Sequence, residues 1–195
     1  MTVEVFFRAT PWALPGTVMA AIALVMLART IGRRISSTPV LAWLYATALA
    51  GYVCVTVTPG RTLGLWGGPQ PVSFQLSLPR LSNFESLNPD SLNVYLGFLL
   101  GVPTVLVLLD ISHLWPIWLS VLLVVAVECV QGLLPVLGRS GFLLDDVFRN
   151  VLGLILGIGV GAFVWPLVRK LGVTSARTDS TYIRGTDNPR RAVPS

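Results

Sequence analysis

This chain predicts an all-α fold: a polytopic bundle of about five membrane-spanning helices. Three observations carry that prediction. Of its 195 residues, 53% are hydrophobic and only 12% charged, with a mean hydropathy of +0.74; soluble domains carry roughly 25% charged residues. The apolar residues fall in blocks of about 17 to 22, the length that crosses a hydrocarbon core ~30 Å thick. The blocks are apolar all round, whereas the helices of a soluble bundle would each need a polar face. The length fits one domain.

The first span is expected over 12–28, with Pro11 and Pro15 near an early turn, where proline is tolerated. Its basic residues, Arg29, Arg33 and Arg34, follow the apolar run. A cleavable leader carries its charge before that run, so this reads as an uncleaved span with its N-terminus outside. The second span, 40–57, begins after Pro39 and stops at Thr58-Pro59-Gly60, with Trp43, Tyr45 and Tyr52 towards its ends as belt aromatics. A long extracellular connection, 58–91, follows. It has no block long enough to span, and such a loop is uncommon unless it has a task or is disordered. Within it Val72 to Leu78 alternates like a short strand or an interfacial segment.

The third span is expected over 92–109. Asn93, Gly97 and Gly101 lie four residues apart on one face, where small residues let another helix approach. Asp110 to His113 read as a tight turn, and the fourth span runs over 114–134 with Glu128 and Gln131 sharing a face. A loop with Arg139 leads to the fifth span, 147–168. There Asp146, Asn150, Gly153, Gly157 and Gly161 form one stripe, polar and then smooth, while Asp145 and Arg149 are spaced to pair. The glycines read as packing positions, and the Gly153-Gly157-Gly161 stripe is also a candidate contact for a homodimer. Residues 172–195 form a basic, disordered cytoplasmic tail by composition. The two cysteines, Cys54 and Cys129, read as small buried hydrophobes.

With five spans, nine basic residues fall on one side (Arg29, Arg33, Arg34, Arg169, Lys170, Arg177, Arg184, Arg190, Arg191) and five on the other (Arg8, Arg61, Arg80, Arg139, Arg149). The basic-rich side is expected to be cytoplasmic, giving N-terminus out and C-terminus in. Asn93, Glu128, Gln131, Arg139, Asp145, Asp146, Arg149 and Asn150 then gather at the outward end under the long loop. A carboxylate inside an apolar span costs up to about 2.5–3.5 kcal/mol on insertion scales, so Glu128 is expected to be used or paired. Glu128 and Asp146 are the residues that an acid/base reaction would use. Asn93 and Gln131 equally suit plain hydrogen-bonding between helices.

Those residues carry a resemblance. The order Glu128, Gln131, Arg139, Asp146, Asn150, Gly153, Gly157 across two apolar helices, with Asn93 and Gly101 upstream, resembles the VanZ-like family of bacterial membrane proteins. The matching part covers roughly Leu92 to Gly161. The chain departs from the family pattern at Leu99, where a proline is usual, and at Leu143 and Leu144, where acidic residues are frequent. The resemblance implies a multi-pass protein of the bacterial cytoplasmic membrane, a role at the cell envelope, and a link to tolerance of the glycopeptide teicoplanin.

Three functions remain open at this point. One is a non-enzymatic protein that binds a lipid-linked or lipophilic ligand at the outward polar pocket, such as a cell-wall precursor or a lipoglycopeptide. Trp66, Phe74 and Phe84 of the loop could contact it, and Arg139 or Arg149 could hold a phosphate. A second is an intramembrane acid/base enzyme acting on a lipid-linked phosphate. A third is a proton-coupled transporter. Membrane lipids are expected partners. Nucleic acid is not, since no basic stripe carries interleaved aromatics. No cofactor motif and no metal-ligand spacing of Cys and His stand in the chain.

Overall fold

The structure, a computed structural model, describes residues 11–57, 89–133 and 144–174. Among them are five helices and no strand: α1 Ala13–Ile35, α2 Pro39–Val57, α3 Pro89–Ile111, α4 Trp115–Leu133 and α5 Leu144–Lys170. All five are long and apolar enough to cross a membrane, so the chain has the architecture of a multi-pass membrane protein. They alternate in direction along the chain. One end of the bundle holds Glu128, and the other gathers Arg33, Arg34, Arg169 and Lys170 in the last turns of α1 and α5.

The spans are the expected ones with shifted ends. Helix α1 continues to Ile35, so Arg29, Arg33 and Arg34 lie on the helix rather than after it. Helix α3 begins at Pro89, taking the last residues of the expected 58–91 loop into its first turn. Proline suits that position because the opening N–H groups of a helix have no partner within it. Helix α5 begins at Leu144, which puts Asp145 and Asp146 in its first turn, where the helix dipole favours negative charge. The tail expected over 172–195 starts ordered. Gly172, in the left-handed conformation at φ 68°, ends α5, and the carbonyl of Val173 accepts a hydrogen bond from Thr38 Oγ1 at 2.8 Å. The remainder of the tail, and residues 58–88 with Trp66, Phe74, Phe84 and the alternating Val72 to Leu78, lie outside the described residues.

The centre of the bundle is the α3–α5 seam, the most extensive contact between any two helices. It is a backbone-to-backbone contact. A Cβ on Gly97 would collide with the carbonyl oxygen of Asn150, and one on Gly153 with that of Val94. One turn along, Gly101 and Gly157 face each other, with the Leu154 and Phe98 carbonyls closing on them. Gly161 sits against Val102 and Val105. The stripe suggested as a dimer contact is therefore consumed within the chain. Its smoothness serves α3, and no part of Gly153, Gly157 or Gly161 is left for a second copy. Gly159, on the opposite face of α5, has open space around it.

Around that seam, Tyr52, Leu92, Leu96, Leu100, Val124, Val127 and Leu154 form one buried layer, nearer the Glu128 end. Leu41, Tyr45, Leu106, Val107 and Ile111 form a second, nearer the basic end. Helix α1 stands apart. It packs chiefly on α2 and turns Met19, Ile22, Val25 and Met26 outward, as a lipid-facing helix does. Cys129 corrects the reading of the cysteines as buried, because it lies on the exposed face of α4; Cys54 is half-buried.

The turn between α1 and α2 is tied to the end of α3. Thr38 is the N-cap of α2, its hydroxyl accepting from the Leu41 N–H at 3.4 Å, with Pro39 in the first helical position. Asp110, buried at the end of α3, accepts hydrogen bonds from Ser37 Oγ at 2.7 Å and from the Thr38 N–H at 3.1 Å. What reads in sequence as a turn residue is thus an anchor for two other helix ends.

Candidate functional site

The polar end is built by α4 and α5 with help from α2. Asn150, wholly buried on α5, donates from Nδ2 to Glu128 Oε1 at 3.2 Å and to the Asp146 carbonyl at 3.0 Å. Glu128 itself is only 2% exposed. A buried carboxylate is costly without such donors, and Asn150 supplies one across the helix interface. With Nδ2 so placed, Asn150 Oδ1 is enclosed beside the carboxylate and has no hydrogen-bond partner among the described residues. Turning the amide over would set two acceptors against each other, so the orientation follows from the carboxylate.

Gln131, one turn from Glu128, donates from Nε2 to the Thr56 carbonyl at 2.7 Å. The reason lies in α2. It ends at Val57, so the carbonyls of its last turn lack a helical N–H four residues on. In a membrane such a carbonyl needs a donor from elsewhere, and Gln131 brings one. Thr56 turns its own hydroxyl back to the Tyr52 carbonyl at 2.5 Å.

Arg149 closes the cluster. Its guanidinium meets Asp145 at 3.3 Å and Asp146 at 3.4 Å, the spacing of one helical turn in each case. All three sit in the opening turns of α5, and Arg149 is buried. The expected Asp145–Arg149 pair is present, and Asp146 shares the same cation.

Of the residues singled out in sequence, the structure joins Glu128 to Asn150 and Asp145 to Asp146 through Arg149. Gln131 is turned to α2. Asn93 is half-buried on α3, and its side chain makes no hydrogen bond among the described residues. Arg139 lies outside the described residues.

Sequence reading missed a second polar cluster, buried closer to the basic end. Tyr45 Oη donates to the Pro116 carbonyl at 2.9 Å and lies 3.3 Å from Ser120 Oγ. Ser120 in turn lies 2.9 Å from Thr104 Oγ1, which also reaches the Leu100 carbonyl at 2.7 Å. These hydroxyls satisfy one another and two backbone carbonyls, a closed network that ties α2, α3 and α4 together. The only signal in sequence is the presence of hydroxyl residues inside apolar spans, and that does not say which of them meet.

No three or more His, Cys, Asp or Glu gather as a metal site among the described residues. Comparison with family models, with curated proteins and with solved structures finds no match. The geometry therefore carries the functional argument alone. The polar end can accept hydrogen bonds from a ligand at Asn150 Oδ1.

Proposed function

We propose that this chain is a membrane protein of the bacterial cell envelope, similar to the VanZ-like family, whose Glu128 end faces outward. There it binds the polar head of a lipid-linked or lipophilic ligand without catalysing a reaction. The observation that carries this reading is the enclosed Asn150 Oδ1 beside the Glu128 carboxylate. A buried acceptor without a donor costs about 1–3 kcal/mol, and a head rich in O–H or N–H groups recovers that cost. Sugars and peptide amides have such groups. Both occur on lipid-linked cell-wall precursors and on lipoglycopeptides. The orientation rests on Arg33, Arg34, Arg169 and Lys170, which gather at the opposite end, whereas Arg149 at the Glu128 end is paired with Asp145 and Asp146; the basic-rich end is the one expected to be cytoplasmic.

On this reading the protein alters how much glycopeptide reaches its target at the membrane surface. The test is teicoplanin and vancomycin susceptibility in a host producing the chain, beside Glu128→Gln and Asn150→Ala variants inserted at equal levels. A gain in teicoplanin tolerance that both variants lose is expected. Unchanged susceptibility with well-inserted protein would remove the antibiotic role.

A further inference from the structure

A groove of about 440 Å³ opens between α1, α2 and α3, away from the polar cluster. It falls within the ~300–1,000 Å³ of small-molecule sites. Its lining is almost entirely apolar. Ala48 and Gly51 leave the α2 wall low, Leu99 and Pro103 form the α3 wall, and Thr17 of α1 stands over Gly51. From Leu44 to Val55 it follows α2 for roughly 16 Å at the helical rise, about half the ~30 Å thickness of a bilayer's hydrocarbon. At the Glu128 end of the groove stand Tyr52 and Leu96, which also belong to the buried layer that holds Val127, the neighbour of Glu128. Thr56, whose carbonyl takes the Gln131 amide, is the next residue after Val55.

The geometry points to this groove as the seat of one hydrocarbon chain of the ligand whose head binds at the Glu128–Asn150 end, entering sideways from the bilayer. This inference rests on the proposed head site. Three features select that occupant. The surroundings of the groove are hydrocarbon, not water. Its length matches the chain of one leaflet. One end of it lies on Tyr52 and Leu96, in the buried layer that also holds Val127 beside Glu128, so the groove and the head site lie towards the same end of the bundle. Helix α1, packed mainly on α2 and contributing only Thr17 to the groove, forms its lip, and a chain enters or leaves without parting the α3–α5 seam.

The test uses the full chain in phosphatidylcholine nanodiscs and two photoreactive amphiphiles with the same diazirine-bearing alkyl chain. One carries a glucoside head, rich in hydroxyl donors, and the other a phosphocholine head, which has none. Adducts are mapped by peptide mass spectrometry. Labelling is expected to be several-fold higher at Ala48, Leu99 and Pro103 than at Trp118 and Leu122, which face lipid from α4. Ala48→Phe should fill the groove and remove that enrichment. Leu99→Trp, at a rim position 64% exposed and therefore tolerant of size, should do the same without touching the core.

A several-fold preference for the glucoside, lost in Asn150→Ala, would support groove and head site together. Groove labelling that is equal for both heads would support the chain seat and overturn the donor-rich head. Labelling spread evenly over all lipid-facing positions, unchanged by either groove variant, would overturn the chain seat whatever the head site does.

Discussion

The two sides of α3 show two ways of holding helices together in lipid. Towards α5 the contact is smooth and dry, with glycines bringing backbone onto backbone along Gly97, Gly101, Gly153, Gly157 and Gly161. Towards α4 there is no such seam. Helix α4 exposes Trp118, Leu122, Val125 and Leu133, and hydrogen bonds hold it: Gln131 to α2, Glu128 to α5, and Ser120 with Pro116 to α2 and α3. Apolar burial gives little drive for association between helices already in hydrocarbon. Close approach does the work on one side and polar bonds on the other. Close packing leaves no room for a ligand, whereas a polar bond is an interaction that a ligand can share. The candidate site lies where the two meet, with the Asn150 backbone in the seam against Gly97 and its side chain bonded to Glu128 of α4.

Substitutions can break this contrast, and the largest effect is expected at the seam. Gly97→Val or Gly157→Leu drives a side chain into a facing carbonyl, and overpacking costs about 1–3 kcal/mol even where neighbours yield. Backbone does not yield as a side chain does, so loss of folded protein is expected, read as aggregation on detergent size exclusion. Gly159→Leu, on open space, should behave as wild type in the same assay.

A smaller effect is expected at Asn150. Asn150→Leu removes a donor from the buried Glu128 carboxylate and should lower stability by about 1–3 kcal/mol, measured as a fall in thermal midpoint in detergent. Gln131→Ala leaves the Thr56 carbonyl without its donor; hydrogen bonds between helices in membranes average about 0.6 and reach about 1.7 kcal/mol, so a shift in that range is expected. Thr104→Val keeps the shape and loses only the links to Ser120 and the Leu100 carbonyl, and should give the smallest shift, about 0.6 kcal/mol or less. A seam variant that folds, or a Thr104→Val as damaging as Gly157→Leu, would blur the distinction between the two sides.

Much of the seam was legible in the chain itself. A helix face has a fixed period, so glycines four residues apart must line one side, and the spans announce themselves by length and hydropathy. The partner of the stripe was not legible. Gly153 and its neighbours suit a second copy as well as α3, and only the three-dimensional arrangement chooses. The polar side was less legible still. Glu128 and Asn150 stood out as costly residues in apolar surroundings, but the acceptor for Gln131 is a backbone carbonyl, which every residue possesses. Asp110 looked like a turn residue because its role depends on Ser37 and Thr38, more than seventy positions away. Tyr45, Thr104 and Ser120 follow no period at all.

The most direct measurement is native mass spectrometry of the chain released from bacterial membranes in mild detergent, with the bound lipids identified, for wild type and for Asn150→Ala and Thr104→Val. A single class of amphiphile with a donor-bearing head, retained by wild type and by Thr104→Val but lost from Asn150→Ala at equal folded yield, is the predicted result. The same spread of bulk membrane lipids on all three proteins would contradict it and leave the Glu128–Asn150 contact as a hydrogen bond that joins two helices and nothing more.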